Sequence, residues 1–176
     1  RVQSANPIAV DLGTGSGAIA LAMATEVPNA RVYAVEKSDD AMPFTSANFK
    51  KYGSANANLV QGDLAEAFED LNGQVAVVAS NPPYIPEKEK EIMSNHVLNH
   101  EPSLALFVSD DDPIIFYKHL IQFAQEKLVS EGYLFLELHE SYSQEVLNFI
   151  ESFSFQQVEV RRDLQGKWRM LKAQKV

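Results

Sequence analysis

Apolar, β-branched segments alternate with segments of helical period along the whole chain. This alternation is typical of a parallel sheet with helices on both faces. The strand-like segments are residues 8–12, 31–36, 58–61, 74–80, 132–138, 155–162 and 167–173. The last two are joined by a short turn, which predicts an antiparallel hairpin. The pattern therefore predicts a doubly wound α/β fold with a mostly parallel, seven-stranded sheet and an antiparallel C-terminal hairpin.

Four helices are expected between these strands. They cover residues 18–27, a segment capped by residues 38–40 and running to about residue 53, a segment opened by residues 111–113 and running to about residue 128, and residues 141–153. Three prolines in residues 81–86 argue against regular structure there, and the irregular region continues to about residue 112. Long loops of this kind usually bind a ligand or partner. Neither a linker nor a repeat interrupts the order, so residues 1–176 are predicted to form one domain.

Composition restricts the classes of molecule that the chain is expected to bind. With 24 acidic and 15 basic residues the formal charge is -9, which repels nucleic acid and anionic membranes. The chain has no cysteine, so disulfides, thiol nucleophiles and thiolate metal sites are excluded. No apolar run approaches the roughly 20 residues of a membrane span, and the first residues lack a signal-peptide core. We expect a cytosolic monomer that acts on a protein or small molecule.

The turn after the first strand is rich in glycine: Asp11 is followed by Gly13, Gly15 and Gly17. Glycine lets a ligand approach the backbone, and the next helix offers free N–H donors. The spacing differs from the Gly-x-Gly-x-x-Gly of dinucleotide enzymes. Asp11 would repel a pyrophosphate but attract the ammonium group of a methionine moiety. The alternative is a turn that only packs helix on strand.

Two acids follow the next strands. Glu36 ends the second strand, where related folds place a carboxylate on the ribose hydroxyls of a nucleotide. Asp63 follows the third strand and is placed to accept a hydrogen bond from an adenine amino group. The alternatives are a surface acid for Glu36 and a helix cap for Asp63.

Asn81-Pro82-Pro83-Tyr84 is the most specific motif. It follows the fourth strand, beside the first, where the strand order of such a sheet reverses and ligands bind. The Asn81 side-chain carbonyl and the Pro82 main-chain carbonyl can accept both hydrogens of a planar NH2 group, and Tyr84 offers a face for stacking. This grip would aim the nitrogen lone pair at an electrophilic methyl group. The motif therefore predicts methylation of an amide or aryl amino nitrogen.

Two polar clusters give weaker signals. His96 and His100 have the spacing of helical metal ligands but lack a third ligand, so no metal site is predicted. Glu137, His139 and Glu140 end the fifth strand and are interpreted as an exposed structural cluster.

Four segments together resemble the HemK-type release-factor glutamine methyltransferases. They are residues 11–22, residues 80–86, Glu101-Pro102-Ser103-Leu104-Ala105-Leu106, and Arg162-Asp163-Leu164-Gln165-Gly166 with Arg169. The first two are shared with many amino-group methyltransferases, whereas the last two are more particular to this family. The resemblance covers nearly the whole chain.

The resemblance implies a class I, Rossmann-like methyltransferase fold and S-adenosylmethionine as cofactor. It implies methylation of a glutamine amide in the Gly-Gly-Gln segment of peptide chain release factors. A helical N-terminal domain of the family is absent here, so residues 1–176 would be the catalytic domain. The implied cofactor-binding residues are Asp11, Gly13, Gly15, Gly17, Glu36, Asp63 and Asn81. The implied catalytic residues are Asn81, Pro82 and Tyr84.

The chain also departs from the family pattern, because glycines are missing from residues 108–112 and near His139. These changes affect local loop geometry and substrate fit. Two alternatives stay open. The Asn81 motif serves an adenine or guanine base of RNA or DNA equally well, although the charge of -9 disfavours such a substrate. A non-catalytic cofactor-binding module is the third possibility, against which the intact motif argues.

Overall fold

The computed structural model of the chain describes residues 5–52, 55–62, 74–92 and 106–176. Within these ranges the main sheet has seven strands: β1 (Ile8–Leu12), β2 (Arg31–Glu36), β3 (Ala57–Gln61), β4 (Val75–Ser80), β7 (Leu128–Glu137), β8 (Phe155–Arg162) and β9 (Trp168–Lys175). Their order across the sheet is β3-β2-β1-β4-β7-β9-β8. Strand β9 is antiparallel to β7 and β8, and the other pairs are parallel. The predicted sheet is confirmed.

Helices cover both faces of this sheet. They are α1 (Ala18–Glu26), α2 (Met42–Tyr52), α3 (Ile115–Lys127) and α4 (Ser143–Ile150). The alternation of β1 side chains explains the two layers, since Val10 and Leu12 pack with α3 and α4 while Ala9 packs with α1. Asp11 lies on the α1 face with Ala9, so its carboxylate is carried into the interior.

The prediction of irregular structure throughout residues 81–86 is wrong. Strand β5 (Ile85–Pro86) pairs in parallel with β6 (Phe107–Val108) in a separate two-stranded sheet. Each strand of such a pair has one free edge, so a proline without an N–H is tolerated there. A 3₁₀ helix (Glu87–Ile92) follows β5, which brings further regular structure into the region expected to be irregular.

Most element boundaries differ from the expected ones by a few residues. The α3 helix begins at Ile115, whose amide donates a hydrogen bond to the Asp112 carbonyl. Strand β7 begins at Leu128, four residues before the expected start at Gly132. A short 3₁₀ helix (Glu140–Tyr142) precedes α4. None of the helices in the described ranges is long and apolar enough to cross a membrane.

Candidate functional site

The glycine turn and the Asn81 motif meet at the carboxyl ends of β1 and β4. Leu12 and Ser80 are register partners in these neighbouring strands, and the Ser80 hydroxyl donates a 2.6 Å hydrogen bond to the Leu12 carbonyl. After Leu12 and Ser80 the two segments lead in opposite directions across the sheet. Strands β2 and β3 lie on the β1 side, and β7 lies on the β4 side. This is the position at which open α/β sheets bind ligands.

The Asp11 carboxylate is hydrogen-bonded to the glycine turn and to the first turn of α1. Its Oδ2 accepts hydrogen bonds from the Thr14 hydroxyl at 2.5 Å and from the Ala20 amide at 3.0 Å. Its Oδ1 is buried and has no hydrogen-bond partner among the described residues. Burial raises the pKa of Asp11 to about 6; the Glu36 charge adds to the rise, and the bonds from Thr14 and Ala20 oppose it. A buried carboxylate oxygen without a hydrogen-bond partner is costly, and a cationic donor placed beside it would offset that cost.

The glycine turn offers bare backbone on its outer side. Gly13 and Gly15 have φ angles of 69° and 53°, which glycine adopts without steric cost. A Cβ atom at either position would meet no described atom within 4 Å. A ligand can therefore approach the backbone of both residues closely.

Gly17 has a different requirement, which comes from α2. A Cβ atom at Gly17 would lie 2.7 Å from the Phe49 ring. Two other α2 side chains fix the turn, since Thr45 donates to the Gly15 carbonyl and Asn48 donates to the Ser16 carbonyl at 2.8 Å. Sequence reasoning missed Thr45 and Asn48, because nothing local in α2 indicates a contact 30 residues away. Side chains of α2 thus hold the turn in shape.

Glu36 lies at the end of β2 beside the turn. Its Oε2 accepts from the Gly15 amide at 2.8 Å and its Oε1 accepts from the Ser38 amide at 2.9 Å. The side chain is buried. The structure thus brings together the glycine turn and the acid that the sequence predicted to bind a ribose.

The Asn81 motif borders an open cavity. Asn81 is exposed, Pro82 is buried and Tyr84 is half-buried. The cavity has a volume of about 390 Å³ and includes Asn81, Glu137 and Phe135 in its lining. An acceptor group that enters this cavity can reach the Asn81 side chain.

The sequence predicted that Glu137, His139 and Glu140 at the end of β7 are exposed, but two of them make contacts inside the structure. The Tyr84 hydroxyl donates a 2.7 Å hydrogen bond to Glu137 Oε1. The His139 ring lies edge-on to the Tyr84 ring, with centroids 5.8 Å apart, and its Nε2 is 3.3 Å from Glu89 Oε2. The interpretation as an exposed structural cluster is wrong about the exposure of Glu137 and His139, which are partly buried. It holds for Glu140, which is exposed and forms a 2.8 Å ion pair with Lys167.

The closing Arg-Asp-x-x-Gly pattern forms the hairpin turn between β8 and β9. Asp163 Oδ1 accepts from the Gln165 and Lys167 amides at 2.9 and 3.0 Å, and these bonds help to lower the pKa of Asp163. Its Oδ2 lies 3.4 Å from Arg169 Nε. Arg169 also donates to the Leu138 carbonyl at 3.1 Å, so the turn is tied to the end of β7.

Three sequence predictions fall outside the described residues: the role of Asp63, the role of the segment that begins at Glu101, and the reading of His96 and His100. Within the described ranges, no three His, Asp or Glu side chains are grouped so as to hold a metal ion. The remaining predicted residues suit a nucleoside carrying an ammonium group. The open backbone of Gly13 and Gly15, the unpartnered oxygen of Asp11 and the carboxylate of Glu36 all fit S-adenosylmethionine.

Comparison with known sequences gives concordant matches. A family model described as "Methyltransferase small domain" matches residues 2–106. The release factor glutamine methyltransferase of Flavobacterium psychrophilum is 34% identical over 163 residues, which cover 93% of this chain and 56% of that protein. The protein of the same name from Bacteroides thetaiotaomicron is 35% identical over 164 residues, which cover 93% of this chain and 59% of that protein. The resemblance inferred from the motifs is confirmed, although the chain spans less than two thirds of these relatives.

Solved structures share the fold. A Streptococcus mutans protein in complex with SAH matches with a TM-score of 0.68 at 17% identity, covering 97% of this chain and 89% of that chain. At this level of identity the likeness concerns the fold alone. It confirms the predicted Rossmann-like methyltransferase architecture.

Proposed function

Because the chain belongs to the methyltransferase small domain family, we propose that it methylates the side-chain amide nitrogen of a glutamine in peptide chain release factors, within their Gly-Gly-Gln segment. The observation that carries this proposal is the position of the Asn81 motif directly beside the glycine turn. Relatives aligned over 93% of the chain bear the name release factor glutamine methyltransferase. Residues 1–176 would then act as the catalytic domain of the enzyme.

The cofactor would be S-adenosylmethionine, which supplies an electrophilic methyl group when bound. Its demethylated product, SAH, is present in the Streptococcus mutans protein of the same fold. In this chain Glu36 would accept hydrogen bonds from the ribose hydroxyls, and Asp11 Oδ1 would face the ammonium group. Gly13 and Gly15 would line the ligand through their backbone. A contact of Asp63 with the adenine stays a prediction from the sequence.

The acceptor amide would be oriented by the Asn81 motif. An amide nitrogen is a poor nucleophile because its lone pair is delocalised into the carbonyl group. Asn81 and the Pro82 carbonyl would accept the two amide hydrogens, which biases the nitrogen toward a pyramidal geometry and directs its lone pair at the methyl group. Tyr84 would stack against the planar amide. The amide proton can leave to solvent after transfer, so no side-chain base is required at the start.

The direct test is mass spectrometry of a release factor incubated with the protein and isotopically labelled S-adenosylmethionine. We expect one labelled methyl group on the glutamine of the Gly-Gly-Gln peptide. A release factor whose glutamine is replaced by alanine serves as the control and should take up no label. The proposal fails if the intact release factor stays unlabelled while the protein binds the cofactor. The cytosolic location and the monomeric state stay predictions from the sequence.

A further inference from the structure

Tyr84 is held by a carboxylate from the neighbouring strand. Its hydroxyl donates to Glu137 Oε1 at 2.7 Å, a charge-assisted hydrogen bond in a half-buried setting. Strands β4 and β7 are adjacent and parallel, and Ser80 pairs with Leu136. Asn81 and Glu137 directly follow these two residues, and both line the same cavity. The contact spans 53 positions of the chain.

The backbone that directly follows Glu137 is held by hydrogen bonds. The Leu138 amide donates to the Arg169 carbonyl at 2.7 Å, and the Arg169 guanidinium donates back to the Leu138 carbonyl at 3.1 Å. The next amide, that of His139, donates to the Tyr117 hydroxyl at 2.9 Å. Tyr117 belongs to α3 and is almost fully buried in the core. Glu137 is thus presented by a rigid element rather than by a loop.

We propose that Glu137 is a positioning residue for amide methylation, because its carboxylate fixes the Tyr84 ring beside Asn81. This inference rests on the proposed function. The ring is anchored at one end by its Cα and at the other by Glu137, while the His139 ring limits rotation at its side. Removal of the carboxylate takes away the hydrogen bond that fixes the hydroxyl end of the ring. The acceptor amide then loses a defined stacking surface, and small misorientations of a reacting group are costly for the rate.

The test compares four variants: Glu137→Ala, Glu137→Gln, Tyr84→Phe, and the double variant Tyr84→Phe/Glu137→Ala. We expect Glu137→Ala and Tyr84→Phe each to lower kcat on a release factor by on the order of tenfold. The Kd for S-adenosylmethionine and the KM for the release factor should change less than about twofold. Because a glutamine oxygen also accepts from a hydroxyl, Glu137→Gln should keep most of the activity. The double variant should lose no more than either single one.

Glu140→Ala is the matched control, since it removes an exposed glutamate three residues further along that pairs with Lys167. Its kcat should equal that of the wild type. Multiplying losses in the double variant would overturn the positioning role, as would a Glu137→Gln variant as inactive as Glu137→Ala. A wild-type protein inactive on release factors would instead overturn the proposed function together with this role. If the wild type is active and the two losses multiply in the double variant, only the positioning role of Glu137 is overturned.

Discussion

The Gly15 amide donates a 2.8 Å hydrogen bond to the Glu36 carboxylate, which joins the glycine turn to the end of β2. Glu36 uses its other oxygen for the Ser38 amide. Each carboxylate oxygen can accept more than one hydrogen bond, so both keep capacity for a ribose hydroxyl. The same side chain can therefore shape the glycine turn and also accept hydrogen bonds from a ligand.

Replacing Glu36 should weaken cofactor binding without removing the fold. We expect Glu36→Ala to raise the Kd for S-adenosylmethionine by on the order of tenfold or more, because charge-assisted hydrogen bonds to the ribose and to the turn are lost together. Titration calorimetry measures the change. Glu26→Ala, which removes an exposed acid at the end of α1, is the control and should leave the Kd unaltered. Tight binding of a nicotinamide dinucleotide instead of S-adenosylmethionine would refute the cofactor assignment.

Asn81 should matter for the rate rather than for the cofactor. Asn81→Ala is expected to keep the Kd for S-adenosylmethionine near the wild-type value and to lower methyl transfer by at least about a hundredfold, since in the proposed function Asn81 orients the acceptor nitrogen. Single-turnover kinetics with labelled cofactor separates the two effects. Asn29→Ala is the control, because it removes the same type of side chain just before β2, at the amino ends of the strands. It should change neither the Kd nor the rate. Parallel losses of binding and rate in Asn81→Ala would make Asn81 a structural residue.

Gly17 and Gly166 allow backbone strain and packing to be measured separately. Both have a φ of 83°, but only at Gly17 would a Cβ atom meet α2, at 2.7 Å from the Phe49 ring. Gly166→Ala should lower the free energy of unfolding by about 1–2 kcal/mol through strain alone. Gly17→Ala should cost roughly 1–3 kcal/mol more, because the new methyl group displaces Phe49. Denaturant unfolding gives both values, and equal losses would show that α2 does not press on the turn.

Asp11 should make stability fall as the pH rises. Burial raises its pKa to about 6 in the folded protein, whereas the unfolded chain loses the proton near the model-peptide value of 3.8. Between these values the folded state binds more protons, so stability decreases with increasing pH and the loss is complete above pH 6. At about 1.4 kcal/mol per pKa unit the loss is roughly 3 kcal/mol.

The check is Asp11→Asn, whose amide does not titrate but can still accept from Thr14 and Ala20. Urea unfolding of both proteins at several pH values from 3.5 to 7.5 gives the difference in free energy, in which other groups cancel. We expect the variant to gain stability relative to the wild type across pH 4 to 6. A difference that does not vary with pH would contradict the raised pKa of Asp11.

The predictable parts of the fold are those written in local sequence. The bounds of β1 and β2 agree with the predicted ones, because each strand is an apolar run that ends at a turn or cap. The reversal of strand order beside the Asn81 motif also followed from the alternation of strands and helices. The β5–β6 pair was missed because Ile85 meets Phe107 only through the tertiary fold, and the prolines argued against a strand.

The contacts that hold the site residues in place were harder to predict from the sequence than the site residues themselves. Glycines, an acid after a strand and Asn-Pro-Pro-Tyr each carry a recognisable chemistry. The hydrogen bonds of Thr45 to Gly15 and of Tyr84 to Glu137 join elements 30 and 53 residues apart, and neither residue pair has a local pattern. Such contacts depend on strand register and helix packing, which periodicity alone does not specify.

The acceptor should be a protein glutamine rather than a nucleic acid base. The Asn81 motif alone does not discriminate between these acceptors, since a carboxamide and an aryl amine would present the same planar NH2 group to Asn81 and Pro82. The charge of -9 steers polyanions away, and the aligned relatives are named for release factors. We expect a form of the protein as long as these relatives to methylate release factors and to leave ribosomal RNA and DNA unlabelled, as measured by transfer of isotopic methyl groups. The same assay at low and high salt separates weak electrostatic exclusion from true selectivity, because screening at high salt removes the repulsion. Robust labelling of either nucleic acid with unmodified release factors would assign the Asn81 motif to a flipped base instead.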